Sequence, residues 1–257
     1  MTWLRVLIAV PYGLIIGSFL TVLVTRVPAG ESIVAPRSRC PSCGTPITAR
    51  DNVPVVSWLL LRGRCRSCGV RIPTRYPVTE IVTAVLFAAA AIRYEDVWLL
   101  IAVSVFLGIL LALSLIDLEH KILPNRIVYP ALIGFPAFLV VARLAGAPVD
   151  LVHAAIGFVA YGGVMLLVAI ISPAGMGMGD VKLAALIGLV VGAIDLPSVA
   201  VAGGLAIILG GIGAVAALAM GKGRKAAVPF GPFLAAGAAL ALFWGPAIAD
   251  AYVRSVS

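Results

Sequence analysis

Two sets of residues in this 257-residue chain have the types and spacings that do chemistry. The first is a pair of knuckles, Cys40-Pro-Ser-Cys43-Gly44 and Cys65-Arg-Ser-Cys68-Gly69, with 21 residues between them and all four cysteines inside them. Two thiolates three positions apart can reach one ion, and the glycine that follows permits a tight turn. Two such knuckles complete the tetrahedral sulfur site that zinc prefers. Four thiolates leave no open position, so a structural ion is expected at Cys40, Cys43, Cys65 and Cys68. Disulfides would use the same residues, and a reducing compartment argues against them. A redox pair would too, but matched knuckles suit a metal better.

The second set is Asp117 and Asp180. Asp117 closes an apolar run in Ser114-Leu115-Ile116-Asp117-Leu118-Glu119-His120-Lys121, and Asp180 opens another directly after Gly177-Met178-Gly179. A carboxylate at membrane depth is costly unless it has a partner or a task. Singly, each has an ordinary reading: Asp180 as a helix N-cap, Asp117 as a charge at the interface. Together they can share a proton, one activating water as general base while the other donates to a scissile carbonyl or leaving amine. Ionisation then belongs to the pair. Gly177 and Gly179 would let the backbone pack closely or bend, bringing an apolar peptide to the acid. Asp180 begins a helix, whose positive end favours the anion, whereas Asp117 ends one; Asp180 is therefore expected to be the resting base. Glu119, His120 and Lys121 read as interfacial and Met176 and Met178 as packing. Lys182 reads as tuning the pair or, more commonly, meeting a phosphate.

The elements that must hold these residues are apolar. Hydrophobic residues make up 62% and charged residues 12%, with a mean hydropathy of +1.13, too little polar surface for a soluble chain of this size. Apolar runs near 4–25, 78–92, 97–116, 127–145, 151–171, 181–194, 197–219 and 230–249 predict about eight transmembrane helices, the second and sixth of them short. The fold class expected is an all-α polytopic membrane protein with a small cytoplasmic zinc-ribbon-like insert. Residues 4–25 read as a retained first helix, since they are long for a signal sequence and lack a clear cleavage site. The segments expected are 1–28, a first helix; 29–77, the four-cysteine zinc unit; and 78–257, the core that carries both acids. A structureless loop of about fifty residues is uncommon, so 29–77 should fold, with metal supplying much of its stability.

Charge then orients the chain. With the N-terminus outside, Arg26, Arg37, Arg39, Arg50, Arg62, Arg64, Arg66, Arg71, Arg75, Lys121, Arg126, Lys182, Lys222, Arg224 and Lys225 all fall inside, which is 15 of the 19 basic residues. That is the bias of inserted loops, and it explains the net charge of +8 without nucleic acid. The metal unit and both aspartates are thereby placed at the cytoplasmic face.

In these residues the chain resembles the type IV prepilin leader peptidase/N-methyltransferases of bacterial membranes, nearly from end to end. The likeness runs through Gly17-Ser18-Phe19-Leu20, Ser38-Arg39-Cys40-Pro41-Ser42-Cys43, Asn52 to Leu59, Arg62-Gly63-Arg64-Cys65 and Arg75-Tyr76-Pro77-Val78-Thr79-Glu80. It continues through Ile116-Asp117, Leu123-Pro124-Asn125, Gly177 to Leu183 and Pro229-Phe230-Gly231-Pro232. The Gly-x-Gly-Asp element is also shared with presenilin-like intramembrane aspartyl proteases. Thr21 and Asn125 depart from the residues common at those positions, Asn and Asp. The resemblance implies that Asp117 and Asp180 are the catalytic pair of an inner-membrane aspartyl endopeptidase. Such an enzyme cuts the short basic leader of type IV prepilins or type II secretion pseudopilins after a glycine. It implies further that the new N-terminal amine is methylated with S-adenosylmethionine, and that the cysteine loop marks the bifunctional subgroup. The binding site for that cofactor is not placed by any glycine-rich pattern.

Two other classes use the same residues. A proton- or ion-coupled transporter could carry charge on Asp117 and Asp180, but such proteins often show internal repeats, and here both acids sit at one face without a repeat. A membrane scaffold could use the metal unit to bind partners and keep the acids structural.

Overall fold

The computed structural model describes residues 2–172, 176–221 and 229–256; Lys222, Arg224 and Lys225, assigned above to the inside, lie outside them. Among the described residues the α-helices are α1 Thr2–Arg26, α2 Val56–Leu60, α3 Arg75–Arg93, α4 Val97–His120, α5 Asn125–Leu144, α6 Leu151–Ile171, α7 Met178–Ile194, α8 Pro197–Ala219 and α9 Gly231–Val256. All eight apolar runs are helical. Seven of the helices are long and apolar enough to cross a membrane, which makes this a multi-pass membrane protein. The exception among the eight is α7, whose 17 residues rise only about 26 Å. Large apolar side chains such as Trp3, Leu7, Ile133 and Ile207 are exposed, as lipid-facing surfaces require.

The chain folds as two compact units, one up to Glu95 and one from Asp96 onward. In the first, α1 packs on α3; Arg5 Nη1 donates to the Tyr94 carbonyl at 2.9 Å and Arg5 pairs with Glu95 at 3.3 Å. The second apolar run of the chain, α3, thus groups with α1 and the cysteine insert, whereas the sequence reading assigned it to the core. Between α1 and α3 the insert is held by short-range bonds. Arg66 grips Asp51 with Nε at 3.0 Å from each carboxylate oxygen, and that hydrogen-bonded guanidinium holds the Asp51 carboxyl below its ordinary range.

In the second unit α7 packs against α5, α6, α8 and α9. Val181 and every residue from Leu183 through Ala193 are buried, so α7 is apolar nearly all round, as a core helix must be. Its closest neighbour is α6, and the approach is made through glycine. A Cβ on Gly157 would collide with the Gly188 carbonyl oxygen, and one on Gly188 with that of Gly157. Small residues that let backbones touch are the usual means of helix association in lipid. Gly188→Ala should therefore destabilise the unit by about 1–3 kcal/mol, read as earlier thermal unfolding in detergent, whereas Gly163→Ala, which meets open space, should not.

Candidate active site and metal centre

Asp117 lies in the last turn of α4. Lys121 stops that helix in the left-handed region, at φ 56, and its N–H donates to the Asp117 carbonyl at 2.8 Å. The chain then turns through Leu123-Pro124 into α5. The Asp117 side chain is 6% exposed, and its Oδ2 accepts the N–H of Gly231, the first residue of α9, at 3.0 Å. Asp180 is the third residue of α7, and its Oδ2 accepts the Gly177 N–H at 3.2 Å. Gly177 is the N-cap, so Asp180 does not cap the helix as an N-cap residue; it reaches back to the cap's amide from inside the first turn.

Leu123 joins the two glycine-bearing helix starts. A Cβ on Gly179 would stand 3.0 Å from Leu123 Cβ, and one on Gly231 would stand 3.3 Å from Leu123 Cδ2. Lys182 fixes the start of α7 from the other side: its Nζ donates to Asn125 Oδ1 at 2.9 Å and lies 4.7 Å from the centre of the Tyr129 ring. Lys182 therefore meets α5.

The Asp117–Gly231 contact was not legible beforehand, and it changes the electrostatics. Each carboxylate accepts an amide proton at the beginning of a helix, Asp117 from α9 and Asp180 from the N-cap of α7. The positive end of α9 opposes the negative end of α4 at Asp117, so helix ends no longer divide the pair into base and acid. Gly177 and Gly179 have ordinary backbone angles for their places; what they supply is an amide donor and room beside Leu123. A Cβ on Gly231 would lie 2.7 Å from Asp117 Oδ2. Gly231→Ala should thus push the carboxylate aside and lower any activity of the pair by about 10- to 100-fold, measured as turnover in detergent, with the helical content unchanged.

Most other acids are accounted for by local structure. Asp96 caps α4 through the Leu99 N–H, Asp150 caps α6 through those of Val152 and His153, and Asp195 accepts the Ser198 N–H at 3.0 Å in α8. His153 Nδ1 stands 3.6 Å from Asp150, a helix-start contact. Glu80 is different: it is buried at 7% exposure, and the sequence reading gave it no role.

In the insert, the two knuckles close in the same way. Cys40 N–H donates to Thr45 O and Gly44 N–H to Cys40 O; Cys65 N–H donates to Val70 O and Gly69 N–H to Cys65 O, all at 2.8–3.0 Å. Gly44 and Gly69 have φ of 70 and 71, the left-handed region that glycine enters without strain. The four Sγ atoms lie within 4.8 Å of one another, and Cys40 and Cys68 are 3.8 Å apart. That is far beyond a disulfide bond and matches the sulfur–sulfur edge of about 3.8 Å in a tetrahedron of 2.3 Å metal–sulfur bonds. All four are free thiols placed to bind one metal ion. Hydrogen bonds from Thr45 bring the Cys43 thiol down to about 6, and backbone amides of Cys68 and Ser67 lower Cys65. At Cys68 the Val70 amide pulls down, but burial and the other three sulfurs outweigh it and push the thiol up to about 12.

Comparison with known proteins agrees with this division into two units. The model for the Bacterial Peptidase A24 N-terminal domain matches residues 12–94, and that for the Type IV leader peptidase family matches residues 104–220. The chain is 38% identical to the prepilin leader peptidase/N-methyltransferase of Bacillus subtilis, over 95% of this chain and 96% of the relative. It is 34% identical to the protein of the same name from Aeromonas hydrophila, over 98% and 95%. The chain belongs to the type IV leader peptidase family. A third relative, from Dichelobacter nodosus and of the same name, is 34% identical over 94% of this chain and 92% of its own length. No solved structure matches the chain. The N-terminal match ends one residue before Glu95 and holds the four cysteines, whereas the second match holds Asp117 and Asp180. Gly231 lies past the end of that second match. The signal that could have marked it is local: a glycine shortly after one proline and just before another, at the start of an apolar run, where Pro232 suits the first turn of a helix.

Proposed function

We propose that this protein is a bacterial inner-membrane aspartyl endopeptidase that removes the short basic leader of type IV prepilins or pseudopilins, cutting after glycine, and then N-methylates the new N-terminus. The observation that carries the reading is that the starts of α7 and α9 both stand against Leu123, with Asp180 Oδ2 accepting the Gly177 N–H at the first and Asp117 Oδ2 the Gly231 N–H at the second. One acid, ionised, takes a proton from a water as it adds to the scissile carbonyl. The other, protonated, gives its proton to the carbonyl oxygen, and the leaving amine is protonated as the bond breaks. Two acids that share a proton can perform both parts without a metal ligand among them.

The location suits the substrate. A prepilin is an apolar helix with a basic leader in the cytoplasm, so acids at the cytoplasmic end of α4 and the start of α7 meet the bond at the boundary, and the helix need not be extracted. The charge bias of the loops supports that orientation. The four thiols are the ligands of a structural zinc ion, whose preferred geometry their spacing fits. The methyl donor is S-adenosylmethionine, which supplies an electrophilic methyl group on a sulfonium. No observation in the bundle favours the transporter reading.

The test is incubation of the purified protein and S-adenosylmethionine with a prepilin carrying a Gly-Phe junction, followed by mass measurement. Loss of the leader together with one added methyl group is expected. Loss of the leader alone would remove the methyltransferase half, and an intact substrate would remove both.

A further inference from the structure

The short helix α2 of the insert has one face turned into its unit and one that meets no other part of it. On the inner face Ser57 is buried, its hydroxyl donating to the Arg50 carbonyl at 3.0 Å. Trp58 Nε1 donates to the Ile72 carbonyl at 3.1 Å, and a Cβ on Gly63 would stand 2.9 Å from the Trp58 ring. Val56, Leu59 and Leu60 form the outer stripe, at the spacing that puts side chains on one face of a helix. They are 50%, 61% and 78% exposed. Ser57, Trp58 and Leu61 line the cavity inside this unit, and the three outer residues do not.

The height of α2 is set by α3. Glu80 Oε2 accepts the Val55 N–H at 2.7 Å, and Val55, the N-cap of α2, holds a φ of 60. That conformation costs a β-branched residue energy, so the contact is built rather than incidental. The 19 residues of α3 rise about 28 Å, and a hydrocarbon core of about 30 Å takes nearly all of them. Glu80 is the sixth residue of α3, about 7 Å in from its start. The start of α2 therefore stands at the membrane boundary rather than out in water. On α3 itself Val78, Ile81, Val82 and Val85 are exposed at this level and just below it, so lipid already borders the place.

Charge at the same place complements phosphate. Residues 31–74 hold seven arginines, no lysine and two acids, Glu31 and Asp51, and Asp51 is taken by Arg66. Arg62 and Arg64, which follow α2 directly, are exposed and make no side-chain hydrogen bond or ion pair among the described residues. A guanidinium offers a phosphate two parallel N–H donors. We propose that α2 is an interfacial anchor: Val56, Leu59 and Leu60 lie among the acyl chains of the leaflet on the insert's side, and Arg62 and Arg64 bind the phosphates of anionic phospholipid there. The insert is then held to the bilayer at α2 as well as by the ends of α1 and α3. The proposal depends on neither activity proposed above.

The experiment places a nitroxide on Leu60→Cys in the purified full-length protein, with the knuckle cysteines loaded with added metal ion and the wild-type chain treated in parallel as the blank. The protein is reconstituted into vesicles of phosphatidylcholine with phosphatidylglycerol. Collisions of the label are then measured with oxygen, which concentrates in lipid, and with a nickel chelate, which stays in water. The label should meet oxygen severalfold more than the chelate, as a label on Ile81→Cys in α3 does. Free contact with the chelate places the stripe in water and overturns the proposal. Shielding from both reagents means that a second copy or another protein covers the stripe, and this overturns it as well. Adding Arg62→Gln and Arg64→Gln, or leaving out phosphatidylglycerol, should raise contact with the chelate severalfold; no change in either case contradicts the binding of phosphates. If Leu60→Cys fails to fold, Val56→Cys is read in the same way.

Discussion

Asp117→Asn and Asp180→Asn should each lower leader removal by about 10³-fold or more, the range expected when a general acid or base is lost, with the protein still inserted and helical. The substitutions are close to isosteric. The amide oxygen of asparagine can still accept the Gly231 or the Gly177 N–H, so the helix starts that hold the pair stay in place. What is lost is the exchangeable proton. On the proposed mechanism, in which the two acids share a proton, the double variant should be only slightly slower than either single one; multiplied losses would mean two independent contributions. Rates of conversion of a prepilin, measured by mass, decide between these outcomes. A scaffold would keep its partner binding in both variants and show no cleavage to lose.

Removal of the metal has the second-largest expected effect, and it falls on the other unit. The insert between α1 and α3 has few buried side chains: Cys40 and Ser57 are among the small number below 9% exposure. Its helical structure amounts to a single 3-10 turn and the five-residue α2. Such a segment lacks the apolar core to fold by itself. Small zinc domains draw roughly 10 kcal/mol or more of apparent free energy from the ion. Cys65→Ser, or a strong chelator, should therefore reduce bound zinc from one per chain to about a tenth or less and open residues 29–74 to protease. Total helicity should change little, because α1 and α3 through α9 do not depend on the thiols. A protease-resistant insert in the metal-free protein would contradict the structural role.

What could be read from the sequence was what local chemistry determines. Spacing alone identified Cys40, Cys43, Cys65 and Cys68, because a knuckle is a property of five consecutive residues, and both knuckles close through the backbone bonds that their glycines permit. Asp117 and Asp180 stood out because acids are scarce and because one closed an apolar run and the other opened one. Hydropathy located all eight long helices for the same reason. Contacts between distant segments were not legible. The Gly231 amide reaches Asp117 across 114 positions, and nothing near Asp117 announces it; with that amide known, the helix-end argument for Asp180 as resting base loses its footing. The grouping of α3 with α1 depends on the close approach of Gly13 to Ala84 and of Gly17 to Glu80, a match of two surfaces that composition does not reveal. The shortness of α7 follows from where Gly177 and Asp195 cap it.

The most direct test of the account is the proximity of the two acids. In a chain carrying Asp117→Cys and Asp180→Cys, with the four knuckle cysteines loaded with added metal ion, a short dithiol-bridging reagent should link positions 117 and 180 within one molecule, seen by mass as a single joined pair of peptides. If both new cysteines instead take up separate copies of the reagent and the joined pair never forms, the acids do not share a site, and the peptidase account is contradicted.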